Sequence, residues 1–365
     1  MNRLLYIVYG AETYHQEAFF SIASALTRLR STPGADIAIE VLTDNPAPYA
    51  ALPVTITPVS SQTLQSWWAP HGYHFRAKHV ALLQRLQGDE DRVVLIDTDT
   101  FFHQSPQTLF DKVRQGQLLC NRIGGRYGDR PDALLYRTLS AGLQARGLGG
   151  KEMPLLNSGV IGLCGADRSV LERSIELMDE LFPHAQGAYT LEEFVLAVAA
   201  DQAGLSLEEC PDEIHHYWSR KDIFRAKVKA WIAKHGSAPC SDAAVADIPR
   251  VTDALPRPPQ ATRLMVKLRT CILPSTQRQF ARELLYGCYP YSNEFDRACG
   301  PVWWEKAVNN LKQRTKSETP DIAAWFRQDR FRRLLGGQLP MIEAHLRERG
   351  ILDPYTPAPA AVHTP

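Results

Sequence analysis

The sequence is short of the devices that mark small or specialised proteins. Its seven cysteines are an odd number and include no C-x-x-C pair. That excludes the spacing of a disulfide framework or a zinc ribbon, and free thiols in a reducing cytosol are the expectation. No apolar run approaches the roughly 20 residues needed to span a bilayer. The short run Leu4–Tyr9 is followed by Glu12, His15 and Glu17 where a signal peptide would have small residues, so it reads as a first strand. Neither sign of charge dominates, since the formal net charge is +1, and composition gives no argument for a nucleic-acid partner. No G-x-G-x-x-G follows the first strand, which argues against a Rossmann dehydrogenase. In Gly147–Glu152 a glutamate stands where a P-loop needs Ser or Thr. Internal repeats are absent. The 365 residues fit one large domain with an appendage.

What is present alternates between strand and helix patterns. Leu4–Tyr9, Ile37–Leu42, Val54–Val59, Val93–Ile96, Leu118–Cys120 and Val160–Leu163 are short apolar runs. Phe19, Ile22, Leu26 and Leu29 recur at helical spacing, as do Val80, Leu83 and Leu86, and again Leu171, Ile175, Met178 and Phe182. Such alternation predicts an α/β sandwich with a mixed, mainly parallel sheet. The glycine-rich stretch 122–150 reads as a loop with some helix. The expected organisation is a catalytic domain over 1–235, a proline-rich linker over 236–262, a basic helical region over 263–350 and a disordered tail over 351–365. The stretch 263–350 holds sixteen Lys and Arg against nine Asp and Glu, a net +7.

The strongest chemical signal is Asp97-Thr98-Asp99, directly after the apolar strand Val93–Ile96. In open α/β sheets ligands bind beyond the carboxyl ends of the strands. Two carboxylates there make a hard-oxygen site for Mn²⁺ or Mg²⁺. The plain alternative is a turn or cap pair, since Asp favours both. Asn157-Ser158-Gly159 offers hydrogen bonds to sugar hydroxyls and a close approach to the backbone, or else a turn before a strand. Glu192-Glu193 suits a helix start, and equally a carboxylate facing an acceptor hydroxyl. His215 and His216 each offer an imidazole to a metal, with Lys221 suited to a phosphate. Arg76 and Lys78 open the helix before the metal strand and could reach a diphosphate. The spacing of His71, His74 and His79 matches no common zinc pattern.

In this order, the features resemble the catalytic core of GT-A-fold glycosyltransferases. They are most similar to family eight, the glycogenin and bacterial lipopolysaccharide galactosyltransferase group. Gly10-Ala11-Glu12-Thr13-Tyr14 resembles the loop that holds the nucleotide. Lys78 and Arg92–Thr100 resemble the lysine-bearing helix and metal strand, Asn157–Val160 the asparagine-serine-glycine segment, and His215–Lys221 the late histidine-to-lysine element. The resemblance implies a retaining hexosyltransferase that takes a nucleotide diphosphate sugar, UDP-linked by preference, and a saccharide or glycolipid acceptor. Ala11, Glu12, Tyr14, Asp44, Arg76, Lys78, Asp97, Thr98, Ser158, Gly159 and Lys221 would lie on the donor, with Asn157, Glu192 and Glu193 at the reaction. Asp97, Asp99 and one of His215 and His216 would hold the metal. Trp218-Ser219-Arg220 stands where the family has a glycine, which leaves the choice of histidine open.

A phosphatase of the haloacid-dehalogenase type also ends a buried strand on D-x-D, but wants Thr or Val where Phe101 stands. A catalytically idle nucleotide-sugar-binding domain of the same fold is the third reading, and the intact acids argue against it. In the basic region, Trp303-Trp304 and Trp325-Phe326 with Arg327–Arg333 suit reversible contact with the inner face of an anionic membrane. The alternative is a packed helical subdomain, because these apolar residues do not share one helical face.

Overall fold

The structure, a computed structural model, describes residues 1–316 and 320–352. Most of the expected tail therefore lies outside the described residues. The chain forms two compact units. One comprises Met1–Lys221 with Ile232–Ile248, the other Asp222–Trp231 with the chain from Pro249 onward. This division differs from the expected linker over 236–262. That stretch contains a helix of its own, and the chain passes between units within the helix Lys221–His235.

The first unit is built on nine strands: β1 (Asn2–Val8), β2 (Ile37–Thr43), β3 (Thr55–Pro58), β4 (Arg92–Ile96), β5 (Thr100–Phe102), β6 (Gln117–Arg126), β7 (Pro154–Cys164), β8 (Ser206–Glu209) and β9 (Ile214–His216). Seven form one mixed sheet in the order β3-β2-β1-β4-β7-β6-β8, and β5 pairs with β9 separately. Only β7 runs antiparallel to its two neighbours in the large sheet, β4 and β6. The helices of this half are α1 (Glu12–Leu29), α2 (Ser61–Trp68), α3 (Arg76–Arg85), α4 (Gln107–Asp111), α5 (Leu134–Gln144), α6 (Ser169–Leu181) and α7 (Leu191–Gln202), followed by α8 (Lys221–His235) and α9 (Asp242–Asp247).

Strand β4 shows why the pattern reads as it does. Val93, Val94, Leu95 and Ile96 are each buried, because β4 is flanked by β1 and β7 and covered on both faces. Helix α7 is apolar on nearly every side from Leu191 to Ala200, and nearly every side of it is buried. A chain of buried hydroxyls ties strand, helix and site together. Tyr6 Oη lies 3.0 Å from Ser21 Oγ, which lies 2.9 Å from Thr100 Oγ1, and Thr100 Oγ1 donates to the Asp97 carbonyl at 2.9 Å. The stretch 122–150 is not a loop. Strand β6 runs on to Arg126, and Tyr127, Leu139 and Leu143 join the core. All seven cysteines are free thiols.

The second unit is helical: α10 (Gln260–Arg269), α11 (Ser275–Gly287), α12 (Glu294–Arg297), α13 (Gly300–Thr315), α14 (Ile322–Arg327), α15 (Asp329–Leu335) and α16 (Leu339–Glu348). Trp303, Trp304, Phe326 and Phe331 are buried in its core. The expectation that these aromatics face a membrane is thereby corrected, since they fill the interior where helices from different parts of the unit meet. Lys227 of α8 is also buried, and its ammonium bonds to Asp296 and to the Thr252 and Ala254 oxygens at 3.1 Å each. Among the described residues, no helix is long and apolar enough to cross a membrane.

Phe331 is fully buried, with the rings of Phe280, Trp325 and Phe326 at 6.0–6.3 Å. Phe331→Ala is expected to cost about 3–5 kcal/mol, as large-to-small changes at filled positions do. Urea unfolding of the full chain measures it, and a loss under ~1 kcal/mol would contradict this view of the core.

Candidate active site

Asp97 stands one residue beyond the carboxyl end of β4. Its amide donates to the Gly159 carbonyl at 2.9 Å, which carries the pairing with β7 one step past the strand. This step brings Asn157, Ser158 and Gly159 beside the D-x-D turn. The β5–β9 ladder supplies the rest by pairing Thr100 with His216 and Phe101 with His215. Because neighbours along a strand face opposite ways, only one of the two histidines can face the acids. It is His216. The ring of His215 lies against Phe101 and His103.

Asp97, Asp99 and His216 each offer a ligand atom within 4.8 Å of the others. Asn157 sets the state of the imidazole. Its Nδ2 donates to Glu193 Oε1 at 2.8 Å, so its Oδ1 is turned to His216 Nδ1, 3.0 Å away. An acceptor there requires Nδ1 to carry a proton, which leaves Nε2 facing the carboxylates, where it bonds Asp99 as N–H in the metal-free protein and can offer its lone pair to a metal. Nε2 lies 3.4 Å from Asp99 Oδ2. Gly159 is needed for this approach, because a Cβ at that position would overlap the His216 ring.

Two ammonium groups meet the acids. Lys78 Nζ lies 2.8 Å from Asp97 and 3.7 Å from Glu192. Lys221 Nζ lies 2.8 Å from Asp99. Glu192 accepts from Ser158 Oγ at 2.9 Å, and its second oxygen lies 3.1 Å from the Tyr73 hydroxyl. Four carboxylates thus face two lysines. Burial works against the Lys78 ammonium, but Asp97 and then Glu192 outweigh it and hold it above its ordinary value. Burial likewise opposes ionisation of Asp99, yet the His216 bond and the charges of His216 and Lys221 hold it well below the usual carboxylate range. Glu193 accepts from the Ser158 amide and lies near Lys78, and both favour its charged form, but they are outweighed. Burial, then the charge of Glu192, push it up to about 7.

These groups line a cavity of about 830 Å³ together with Tyr9, Tyr14, Thr98, Tyr189 and Trp218. Tyr189 and Trp218 are 71% and 66% exposed, which is unusual for rings of that size beside a cluster of acids. The sequence reading passed over Tyr9 and Tyr189. Tyr189's one signal is its place three residues before Glu192.

Other expected residues lie elsewhere. Arg76 is held by Asp179 through two bonds of 2.7 and 2.9 Å and by the Trp67 carbonyl, and does not line the cavity. Two positions along a helix turn a side chain through about 200°, so Arg76 and Lys78 cannot share a face. Asp44 accepts from the Gly10 amide at 2.9 Å and pairs with His15 at 3.3 Å, pinning the loop after β1, where Gly10 takes a positive φ of 89°. Ala11 and Glu12 open α1 next to it, exposed and outside the cavity lining. His71, His74 and His79 are held apart. The first two stack on Phe182 and Trp68, and His79 is buried against Ser174.

No family model matches the chain, and no curated protein sequence matches it. Among solved structures it is similar to mouse xyloside xylosyltransferase 1, with 13% identity, 57% of this chain and 84% of that one covered, and a TM-score of 0.39. It is also similar to the galactosyltransferase LgtC in complex with donor and acceptor sugar analogues, with 14% identity, 72% and 99% covered, and a TM-score of 0.41. A third is the bifunctional glycosyltransferase WbbM, with 12% identity, 57% and 38% covered, and a TM-score of 0.38. Likenesses at these scores decide nothing about chemistry, which rests on the cavity's own residues.

Glu193 provides a test of the crowded charge. With its carboxyl raised to about 7, the folded state holds a proton that the unfolded chain has already lost above the ordinary carboxylate value. Stability therefore falls as pH rises through that window. Gln at 193 keeps a carbonyl for Asn157 Nδ2 and the Ser158 amide but has nothing to ionise. In EDTA, Glu193→Gln should match wild type near pH 4.5 and exceed it by on the order of 3 kcal/mol at pH 8. Thermal denaturation across that range checks it, and equal stability at both ends would refute the assignment.

Proposed function

We propose that this chain is a metal-dependent glycosyltransferase. It would move a hexose from a nucleotide diphosphate sugar, UDP-linked by preference, to a hydroxyl of a saccharide or glycolipid, with retention at the anomeric carbon. The observation that carries this is the convergence of Asp97, Asp99 and His216 with Lys78 and Lys221 in one cavity at the carboxyl edge of the sheet.

The donor set suits Mn²⁺ or Mg²⁺. It offers hard carboxylate oxygens and one imidazole whose Nε2 faces them, and with Glu193 neutral the three remaining acids still outnumber the two ammoniums, which suits a divalent ion. When bound, the ion would supply Lewis-acid relief of charge on the departing diphosphate. The protein's part is then read residue by residue. Asp99 would be the main ligand, and Asp97 would serve both metal and ribose. Lys78 and Lys221, now paired with these acids, become available to diphosphate oxygens. Tyr14 and Tyr9 offer ring faces to the nucleotide. Asn157, Glu192 and Glu193 sit at the sugars, with Glu193 able to donate as a neutral acid near pH 7. Retention follows from the family resemblance. The phosphatase reading is not favoured, because a histidine completes the ligand trio and a cavity of about 830 Å³ far exceeds the needs of a phosphate.

A donor screen tests the reading: thermal shift with UDP, GDP, CDP and dTDP, each with and without Mn²⁺. A rise in melting temperature is expected for UDP only when Mn²⁺ is present. Asp99→Asn should abolish both this rise and sugar transfer while the protein remains folded. Normal turnover of that variant in EDTA would sink the proposal, and proton NMR of the first-formed product reads the anomeric outcome.

Gly159→Ala offers a separate check on the histidine. The added methyl group must displace the His216 ring, so calorimetric Mn²⁺ affinity should fall about tenfold or more, in the range lost when groups that orient a metal ligand are removed. Unchanged affinity would remove His216 from the metal site.

A further inference from the structure

From Ala254 to Arg282 the chain carries six Lys or Arg and not one Asp or Glu. Helix α10 lies in the middle of this stretch. It turns Val266 inward, as the turn Thr270–Ile272 that follows does Thr270, and leaves Leu264, Met265 and Leu268 exposed at 57%, 58% and 57%. Ile272, one turn beyond Leu268, is exposed at 63%. Among the described residues, four of the nine large apolar side chains left exposed thus fall within nine residues. Leu264, Leu268 and Ile272 recur every fourth position and share a face. The cations beside them are not neutralised. Arg269, Arg278 and Arg282 donate to the Leu334, Leu273, Cys271 and Thr270 oxygens, all uncharged, and among the described residues none of the six cations pairs with a carboxylate.

We infer that the outer face of α10, continued to Ile272, is a docking surface for an anionic lipid bilayer, with the leucines, methionine and isoleucine entering the headgroup region and the surrounding cations meeting lipid phosphates. Charge decides between occupants. A second copy of the chain would set the exposed cations Arg257, Lys267 and Arg269 against their like, whereas an anionic surface answers both the apolar face and the charge. Of the tryptophans that the sequence offered for this role, Trp303 and Trp304 are core residues and Trp325 is half-buried against that core, so the contact belongs to a different element of the same unit. Nothing here depends on the chemistry of the cavity.

The test is co-sedimentation of the full chain with vesicles of phosphatidylglycerol and phosphatidylcholine in equal parts, against phosphatidylcholine alone, at low and high salt. The expected result is sedimentation with the anionic vesicles at low salt and release at high salt. The Leu264→Ser, Leu268→Ser double variant should bind about tenfold more weakly, as should Lys267→Glu, with circular dichroism and melting temperature unchanged. Three results overturn the inference: wild type left in the supernatant at low salt, equal binding to phosphatidylcholine alone, or wild-type binding by the double variant. Light scattering covers the rival occupant. If the wild type is a dimer that the double variant converts to a monomer, and vesicles capture neither, the face is a contact between copies.

Discussion

Ile96 pairs with Val160, and the Asp97 amide takes one more bond to the Gly159 carbonyl past the end of β4. That extra rung is what the candidate site depends on. A parallel neighbour would have brought the start of another loop to this edge. The antiparallel β7 instead brings the middle of a strand, where successive residues are held at fixed spacing. Asn157, Ser158 and Gly159 therefore arrive rigidly. Each then fixes something else: Asn157 the His216 tautomer, Ser158 the Glu192 carboxylate, and Gly159 the space for the imidazole ring.

Charge is the second constraint, and it works against the first. Packing four carboxylates into a cavity under good covalent control is unfavourable, because each repels the others in surroundings that screen poorly. The protein meets this with two lysines, each within 2.8 Å of one member of the D-x-D pair. Glu193, buried and then pressed by the charge of Glu192, holds its proton to about pH 7. A site in this state is short of positive charge, and that shortage is itself an affinity for a cation. The lysine pairs also show how the free protein remains stable, since neither Asp97 nor Asp99 is left without a counter-charge.

The two units put similar residues to different uses. In the first, exposed aromatics gather at the cavity, while in the second Trp231, Trp303 and Trp304 are interior and aliphatic side chains are exposed. The difference follows from where apolar area is covered. Helices α11, α13 and α16 bury Phe280, Trp304 and Ile342 in one core, whereas α10 buries only Val266 and leaves its other face to solvent. An exposed apolar face costs free energy unless something covers it.

Sequence alone determined the alternation of strands and helices, the end of β4 on Asp97, and the residue types of the site, because these depend on local periodicity and on the abrupt end of an apolar run. Residues 122–150 hold the helix expected there, but glycines and charges concealed the strand end at Arg126 and the packing of Leu139 and Leu143 in the core. Local pattern also left His215 and His216 equivalent. Only the pairing of β9 with β5 decided between them, as one residue of register turns a side chain to the opposite face. The same holds for Arg76 and Lys78, where helix phase sent one to Asp179 and the other to Asp97. The exposed stripe on α10 was likewise invisible beforehand, because a leucine's burial depends on what packs against it, and that is a property of the whole fold.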